Sequence, residues 1–343
     1  MHPEIFKLPD DLFKGIFLLS GLGGFSIAWY GVLITLGVMI GAVIATRVAE
    51  RRGLNTNLLS DMVFWSVVWG VVGARLGYIL TSPSNFIYTS QSTIFSWLGK
   101  IVNVREGGLS IHGGVILGIL VLMYYARRYK INFYQYIDLY APGLALGIIG
   151  GRLGNFFNGS DTIGRITTLP IGWTFPGWGE DILGIFTAER NWAGMPGLCK
   201  AASGEVSVSP LCQVGVEYLR GPVHLTQIYG VFIGVALLIM IFYWLRSKRP
   251  GWVFWNTMLW YSIMRAGIEE TFRLNPLSWK VFESADLGIG LFTFTQLFSI
   301  PIIIISLIML NRIKNQPEQP WTENAPTPNK PLVSSAAVEL PKT

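Results

Sequence analysis

The chain alternates long apolar runs with polar connections, and the lengths of the apolar runs predict membrane-spanning helices. A bilayer core about 30 Å thick needs about 20 apolar residues in a helix. Seven runs are long enough, at residues 27–46, 59–80, 109–127, 137–157, 225–245, 252–271 and 292–311. The pattern predicts an all-α polytopic membrane protein with seven transmembrane helices.

Clusters of Arg and Lys follow every second apolar run and predict the orientation of the helices. They are Arg47, Arg51 and Arg52, then Arg127, Arg128 and Lys130, then Arg246, Lys248 and Arg249, and finally Arg312 and Lys314. Because short cytoplasmic connections carry an excess of basic residues, the N-terminus is predicted outside and the C-terminus in the cytoplasm. The N-terminal residues lack the features of a cleaved signal peptide, so the first run is expected to be retained.

The polar connections predict the domain organisation. Residues 1–312 are expected to form one membrane domain, with an extracytoplasmic cap at 158–224 between spans four and five. Two cysteines, Cys199 and Cys212, lie in the cap, and both a disulfide and two free thiols stay open for them. Residues 313–343 are rich in Pro and polar residues and are predicted to be a disordered cytoplasmic tail.

The composition supports a membrane protein and excludes several other classes. The chain is 51% hydrophobic and 13% charged with a mean hydropathy of +0.46, whereas a soluble domain is about 25% charged. The net charge of +6 comes from clusters beside apolar runs, which is typical of topology signals and contact with anionic lipid rather than nucleic acid. With no phosphate-binding loop, dinucleotide fingerprint or G-x-S-x-G motif in the sequence, no cofactor or metal is expected.

Polar side chains within the runs collect at their predicted outer ends. They are Tyr30, Arg75, Glu106, Ser110, His112, Arg152, Asn155, Asn158, His224, Gln227, Tyr229, Arg265, Glu269, Glu270 and Gln296. A charge within a membrane helix costs about 2.5–3.5 kcal/mol, so such residues face a cavity or a partner. Guanidinium groups match phosphate oxygens, and glycines allow a close approach to the backbone. The pattern predicts a cavity for an anionic phospholipid headgroup, open to the outer leaflet.

The segment GGRLGNFFNGSDTIGR (150–165) resembles the signature of the prolipoprotein diacylglyceryl transferases, G-G-R-x-G-N-F-x-N-G-E followed shortly by G-R. Further stretches match in order: IAWYGVLITLG, GARLGY, EGGLSIHGG, HLTQIY, MRAGIEETFR and TQLFSIP. The resemblance implies transfer of the diacylglyceryl group of phosphatidylglycerol to the signal-peptide cysteine of prolipoproteins, with a thioether product and release of glycerol phosphate. It also implies a multi-pass protein of the bacterial cytoplasmic (inner) membrane whose active site faces the outer leaflet and the periplasm.

The resemblance also implies roles for particular residues. The expected catalytic residues are Arg152, Arg265, His112, Glu269 and Asp161. The expected contacts of the phosphatidylglycerol headgroup by resemblance are Tyr30, Asn155, Asn158 and Gly164. The polar residues at the outer ends of the runs add Gln227, Tyr229 and Arg75, although Arg75 fits a helix-end arginine that extends toward the membrane surface equally well. The arginines are expected to neutralise the phosphate as charge builds on the leaving oxygen. The base for the thiol stays open among His112, Asp161, Glu269 and Glu270.

The chain departs from the family pattern at three places. The signature glutamate is replaced by Ser160 and Asp161, with one extra residue before Gly164. In MRAGIEETFR, Arg273 comes one residue late, so Glu270 competes with Glu269 for the carboxylate role. HLTQIYG lacks the proline and the acidic residue usual around HPSQLYE.

Two alternatives to the transferase stay open. A phospholipid transporter would use the same cavity, but it needs access from both sides of the membrane, whereas the polar groups here lie at one side. A catalytically impaired scaffold that binds the same lipid or signal peptides fits the altered acidic positions.

Overall fold

The computed structural model describes residues 4–7, 26–86, 97, 99, 101–102, 108–158, 164–165, 167–172, 197–200, 206–209, 217–219, 223–273, 282–284 and 287–318. Helices dominate this part of the chain: α1 (Trp29–Arg51), α2 (Thr56–Thr81), α3 (Ile111–Arg128), α4 (Phe133–Asn158), α5 (Thr226–Trp244), α6 (Trp252–Met264) and α7 (Phe294–Lys314). Each overlaps one of the apolar runs, so the prediction that these runs are helical is confirmed. The helices α1, α2, α5 and α7 are long and apolar enough to cross a membrane.

Large apolar side chains are exposed along the helices, as expected for surfaces that face lipid. On α2, Phe64, Trp65 and Trp69 are 60%, 43% and 47% exposed. An exposed apolar surface of this kind is unstable in water and stable against acyl chains. The protein is therefore a helical membrane protein, while the seven-span topology stays a prediction.

Short turns connect the helices where the basic clusters lie. Gly53 and Gly251 have φ of 65° and 85°, a left-handed conformation that glycine adopts without strain. Asn55 caps α2, and its side chain accepts a hydrogen bond from the Leu58 amide at 3.0 Å. Basic residues occupy the last turns of α1, α3 and α7, where they also complement the helix dipole.

Short strands accompany the helices. An antiparallel pair joins β1 (Glu4–Lys7) to β2 (Ser26–Ala28), and another joins β6 (Phe282–Ser284) to β7 (Ile289–Leu291). Within 158–224, where the cap is predicted, β3 (Gly197–Lys200) pairs with both β4 (Val206–Ser209) and β5 (Glu217–Leu219). Cys199 lies in β3, and Cys212 is outside the described residues, so a disulfide between them stays a prediction.

The described residues divide into two compact units. The first contains those up to Val43 and from Tyr140 to Glu318, and the second contains those of Ile44–Leu139. Glycines bring helices together in both units: Gly41 of α1 faces Gly143 of α4, and Gly73 of α2 faces Gly113 of α3. The predicted single membrane domain stays a prediction, and the predicted tail lies beyond residue 318, outside the described part, except for its first six residues.

Substitutions at two glycines of α4 test this packing. A Cβ atom at Gly150 would lie 2.5 Å from the Leu33 carbonyl oxygen, whereas at Gly147 nothing lies within 4 Å. Both Ala variants gain the same helix propensity. We expect Gly150→Ala to lower the free energy of unfolding by about 1–3 kcal/mol and Gly147→Ala not to lower it. Denaturant unfolding in detergent measures both, and equal midpoints would contradict the close approach of α1 and α4.

Candidate active site

After α6, the chain widens into a π-helical turn, Arg265–Glu269. In a π turn the amides bond to carbonyls five residues earlier, which changes the partners that the neighbouring carbonyls need. The hydroxyl of Thr271 donates to the Gly267 carbonyl at 3.0 Å, and the Gln296 amide donates to the Ala266 carbonyl at 2.9 Å. Side chains from the same segment and from α7 therefore stabilise the turn.

Glu269 pairs with arginines from two helical segments. Its Oε1 atom lies 2.5 Å from Nη2 of Arg152 on α4, and it also accepts a hydrogen bond from Nη1 of Arg265. Glu269 is 1% exposed, and the Arg152 and Arg265 side chains are 12% and 14% exposed. Charge-assisted bonds with this little solvent are among the strong ones, so the three side chains hold each other in place.

Glu270 is the second carboxylate of the site and is fully buried. Its Oε2 atom lies 3.9 Å from Nη2 of Arg265 and 4.0 Å from Nη1 of Arg273. Its Oε1 atom accepts a hydrogen bond from the Thr293 hydroxyl at 3.3 Å. Thr293 is the N-cap of α7 and forms a capping box with Gln296. Glu270 thus connects the end of the α6 segment to the start of α7.

Five charged residues form one group of ion pairs, here called the arginine–glutamate cluster: Arg152, Arg265, Glu269, Glu270 and Arg273. The cluster has a formal net charge of +1, because it contains three guanidiniums and two carboxylates. Burial, with Arg265 and Arg152 nearby, lowers the pKa of the Arg273 guanidinium. A buried positive excess of this kind favours an anion. Planar guanidinium groups further favour a phosphate or a carboxylate.

Two glycines allow close packing around Arg152 of the cluster and around Tyr30. A Cβ atom at Gly230 of α5 would lie 2.7 Å from Cγ of Arg152. A Cβ atom at Gly154 of α4 would lie 2.7 Å from Cα of Tyr30. Larger residues at these positions would displace Arg152 from Glu269 or move the start of α1 away from α4.

His224, just before α5, is buried and uses both of its ring nitrogens. Its Nε2 atom is 3.0 Å from the Leu287 carbonyl oxygen, which requires a proton on Nε2. Its Nδ1 atom is 3.1 Å from the Tyr229 hydroxyl, from which it accepts a hydrogen bond in this tautomer. Burial lowers the pKa of His224, and the bond to Leu287 opposes this in part. The ring is therefore neutral and holds its neighbours.

Gly164 and Arg165 end the signature, and their backbone groups form hydrogen bonds with the backbone of His224, just before α5, and of Phe272. The Gly164 amide donates to the His224 carbonyl at 3.1 Å, and the His224 amide donates to the Arg165 carbonyl at 3.0 Å. The Arg165 amide donates to the Phe272 carbonyl at 2.8 Å. A Cβ atom at Gly164 would overlap the His224 carbonyl, so this position requires glycine.

The first unit contains most of the residues predicted for the site: Tyr30, Arg152, Asn155, Gly164, Gln227, Tyr229, Arg265 and Glu269. Gln227 is buried on α5, and Asn155 is partly buried near the end of α4. Asn158 is the last residue of α4, and its side chain is outside the described part, as is all of Asp161. The chemical roles of these residues stay predictions.

Two predicted site residues, Arg75 and His112, belong to the second unit. Arg75 donates from Nε to the Ile101 carbonyl at 2.8 Å and from Nη1 to the Gly108 carbonyl at 3.0 Å. These bonds hold the backbone that precedes α3. His112 is exposed in the first turn of α3.

The sequence did not predict that Thr293 and Gly230 contact the cluster. Thr293 had a local signal, because Thr-x-x-Gln before an apolar run is the capping-box pattern. Gly230 had no such signal, since its contact with Arg152 depends on how α4 and α5 pack.

The apolar helices and the buried arginine–glutamate cluster define a helical membrane protein with a net-positive buried site. Comparison with known proteins is more specific: a family model described as prolipoprotein diacylglyceryl transferase matches residues 17–312. The chain belongs to the prolipoprotein diacylglyceryl transferase family.

Relatives named phosphatidylglycerol–prolipoprotein diacylglyceryl transferase match most of the chain. The protein of Deinococcus radiodurans is 48% identical over 301 residues, which cover 86% of this chain and 84% of the relative. The protein of Thermus thermophilus is 45% identical over 294 residues, covering 85% and 96%. The protein of Geobacter sulfurreducens is 32% identical over 294 residues, covering 84% and 91%.

The buried state of His224 predicts a pH dependence of stability. The pKa of His224 is lowered below 6.5 in the folded protein, so the unfolded chain binds a proton first as the pH falls. The contribution of His224 to stability is present above about pH 6.5 and is lost as the pH falls below it. Thermal unfolding in detergent should show a smaller loss of stability on acidification for His224→Gln than for the unchanged protein. Equal losses would contradict a neutral buried imidazole.

Proposed function

We propose that this chain transfers the diacylglyceryl group of phosphatidylglycerol to the signal-peptide cysteine of prolipoproteins, the first step of bacterial lipoprotein maturation. The observation that carries the proposal is the buried pairing of Arg152 and Arg265 through Glu269. The names of the relatives specify the same lipid donor and protein acceptor. We further propose a seven-span protein of the cytoplasmic membrane, with the N-terminus and the active site on the periplasmic side.

The arginine–glutamate cluster suits the charge changes of this reaction. The phosphodiester of phosphatidylglycerol carries one negative charge, which matches the net charge of +1 on the cluster. The bond between the glyceryl carbon and the phosphate oxygen breaks, and the leaving glycerol phosphate gains a second negative charge. Arg152 and Arg265 would stabilise this growing charge more strongly than that of the bound lipid, which lowers the barrier.

The acceptor thiol attacks the same glyceryl carbon and loses its proton. A thiol with a pKa near 8.5 is mostly protonated at neutral pH, so a base assists the attack. Glu269 and Glu270 already pair with guanidiniums, which suits them to positioning arginines. Of the predicted candidates, His112 and Asp161 stay open as the base that takes this proton. The proton is then released to solvent, and sulfur and carbon form the thioether.

The remaining residues divide into headgroup contacts and supporting residues. We propose that Tyr30, Asn155 and Gln227 contact the glycerol headgroup, because they accompany Arg152 in the first unit. Tyr229 bonds to His224 and supports the site indirectly, whereas Arg75 bonds to backbone carbonyls of the second unit.

An assay of the purified protein tests the proposal. With phosphatidylglycerol and a cysteine-containing signal peptide, the peptide should gain the mass of one diacylglyceryl group as glycerol phosphate appears. Arg152→Ala should lower kcat by at least about 10²-fold, because it removes a donor to the leaving phosphate. Arg312→Ala, an exposed arginine at the end of α7, is the matched control and should keep full activity. Lipid binding without any adduct from the unchanged protein would indicate a transporter or a scaffold and overturn the transferase.

The thiol of Cys199, one of the two cysteines of the chain, should be dispensable. The attacking sulfur belongs to the acceptor peptide, and Cys199 lies in β3 outside the cluster. Cys199→Ser should therefore turn over within about twofold of the unchanged protein when both unfold at the same temperature. A folded but inactive Cys199→Ser protein would require a covalent intermediate on the enzyme.

A further inference from the structure

We propose that Glu270 is a positioning residue of the transferase site, which holds Arg273 beside Arg265 so that both guanidiniums face the lipid phosphate. This inference rests on the proposed function and gives Glu270 a positioning role of its own beside Glu269, with which it competed for the carboxylate role of the family pattern. Glu270 is distinct from Glu269, because the two carboxylates pair with different arginines apart from Arg265, which they share.

The π turn explains how an additional carboxylate fits here. An α-helix returns to nearly the same face after seven residues, whereas Arg273 follows Arg265 by eight positions. The turn at Arg265–Glu269 takes up the extra residue, because a π turn holds about one residue more than an α turn. Both arginines thereby reach the same carboxylate, at 3.9 Å and 4.0 Å from Glu270 Oε2.

The surroundings of Glu270 fix its position. It is fully buried, and the Thr293 hydroxyl donates to its Oε1 atom at 3.3 Å. Gln296 of the same capping box donates to Ala266 within the π turn at 2.9 Å. The start of α7 therefore holds both the widened backbone and the carboxylate that the turn introduces. Because Glu270 is held in this way, it restricts the positions of the arginines that it pairs with.

Electrostatics give Glu270 its function. Arg265 and Arg273 repel each other, and in a buried site this repulsion is poorly screened by salt. The carboxylate lies 3.9 Å and 4.0 Å from the two guanidiniums, so it offsets part of this repulsion and attracts both side chains toward itself. Gly230 stands where the related HPSQLYE pattern has an acidic residue, and here it lies against Arg152. The described residues of α5 contain no carboxylate, so both carboxylates that pair with the arginines come from the α6 segment.

A purely electrostatic role and a positioning role of Glu270 predict opposite effects of Glu270→Gln on kcat/KM, so this variant distinguishes the two roles. Removing a negative charge by itself strengthens the attraction of the site for a phosphate, so kcat/KM for phosphatidylglycerol would rise. If Glu270 positions Arg273, kcat/KM for phosphatidylglycerol falls about tenfold while KM for the peptide stays within about twofold. Glu318→Gln removes a half-exposed carboxylate that pairs with Arg249 at 3.5 Å, and it serves as the matched control.

A double-mutant cycle shows whether Glu270 acts through Arg273. In an Arg273→Gln background, Glu270→Gln should cause little further loss, because the arginine that it positions is already absent. Glu270→Asp keeps the charge with a shorter reach and should restore part of the activity. A rise or no change in kcat/KM for Glu270→Gln, or independent losses in the cycle, would overturn the proposal. If Glu270→Gln does not fold, unchanged kcat/KM for the Glu270→Asp protein would overturn it equally.

Lipid binding separates this inference from the proposed function. If the unchanged protein forms no adduct, the transferase fails, and the positioning role is measured by titrating detergent-solubilised protein with phosphatidylglycerol. Glu270→Gln should then bind this lipid about tenfold more weakly and should bind diacylglycerol, which lacks the phosphate, as the unchanged protein does. Equal affinities for phosphatidylglycerol would overturn the role of Glu270 whatever the activity.

Discussion

Two carboxylates buried in an apolar protein must be paired with cations, and the structure around the candidate site follows from this requirement. Removing ions from water costs several kcal/mol for each, and leaving one of a buried pair without its partner costs about 3–5 kcal/mol. Glu269 meets the requirement through Arg152 and Arg265, and Glu270 meets it through Arg265 and Arg273. The partners come from α4 and from the segment that continues α6, so the pairing also fixes how these segments pack.

The glycines and the π turn are the backbone features that make this pairing possible. Gly230 gives the Arg152 side chain room beside α5, and Gly164 allows the end of the signature to pair with the backbone at His224. The π turn ends at Glu269 and Glu270 follows it, so Glu269 pairs with Arg152 and Arg265 while Glu270 pairs with Arg265 and Arg273. Each feature is local, but it stabilises the protein only in the folded state. The π turn, for example, is stabilised only when the carboxylates at its end contact their arginines.

This dependence explains what the sequence could and could not predict. The apolar runs predicted the positions of the seven long helices in the described part of the chain because hydrophobic length is a local property. The polar residues at the predicted outer ends of the runs indicated a shared site, and the side chains of Arg152, Arg265 and Glu269 do meet. The hydrophobic and polar pattern could not predict that Arg152 pairs with Glu269, because the two residues are far apart along the chain. Arg273 comes one residue later than in the family pattern, which indicated an extra residue in this segment. Because α and π turns contain the same residue types, the sequence alone did not predict the π turn.

Carboxylates in a site for an anion need a physical reason, because they weaken its net attraction for the phosphate. Three unpaired arginines at this depth would repel each other, and their flexible side chains would turn toward the lipid headgroups. A lipid would then bind to whichever arrangement was present and would reorganise the site at each turnover. Each guanidinium has five N–H donors, more than the contacts with Glu269 and Glu270 occupy, so paired arginines can still bind a phosphate. Under the proposed function, the carboxylates weaken the attraction for the phosphate but keep the arginines oriented before charge develops on the leaving group.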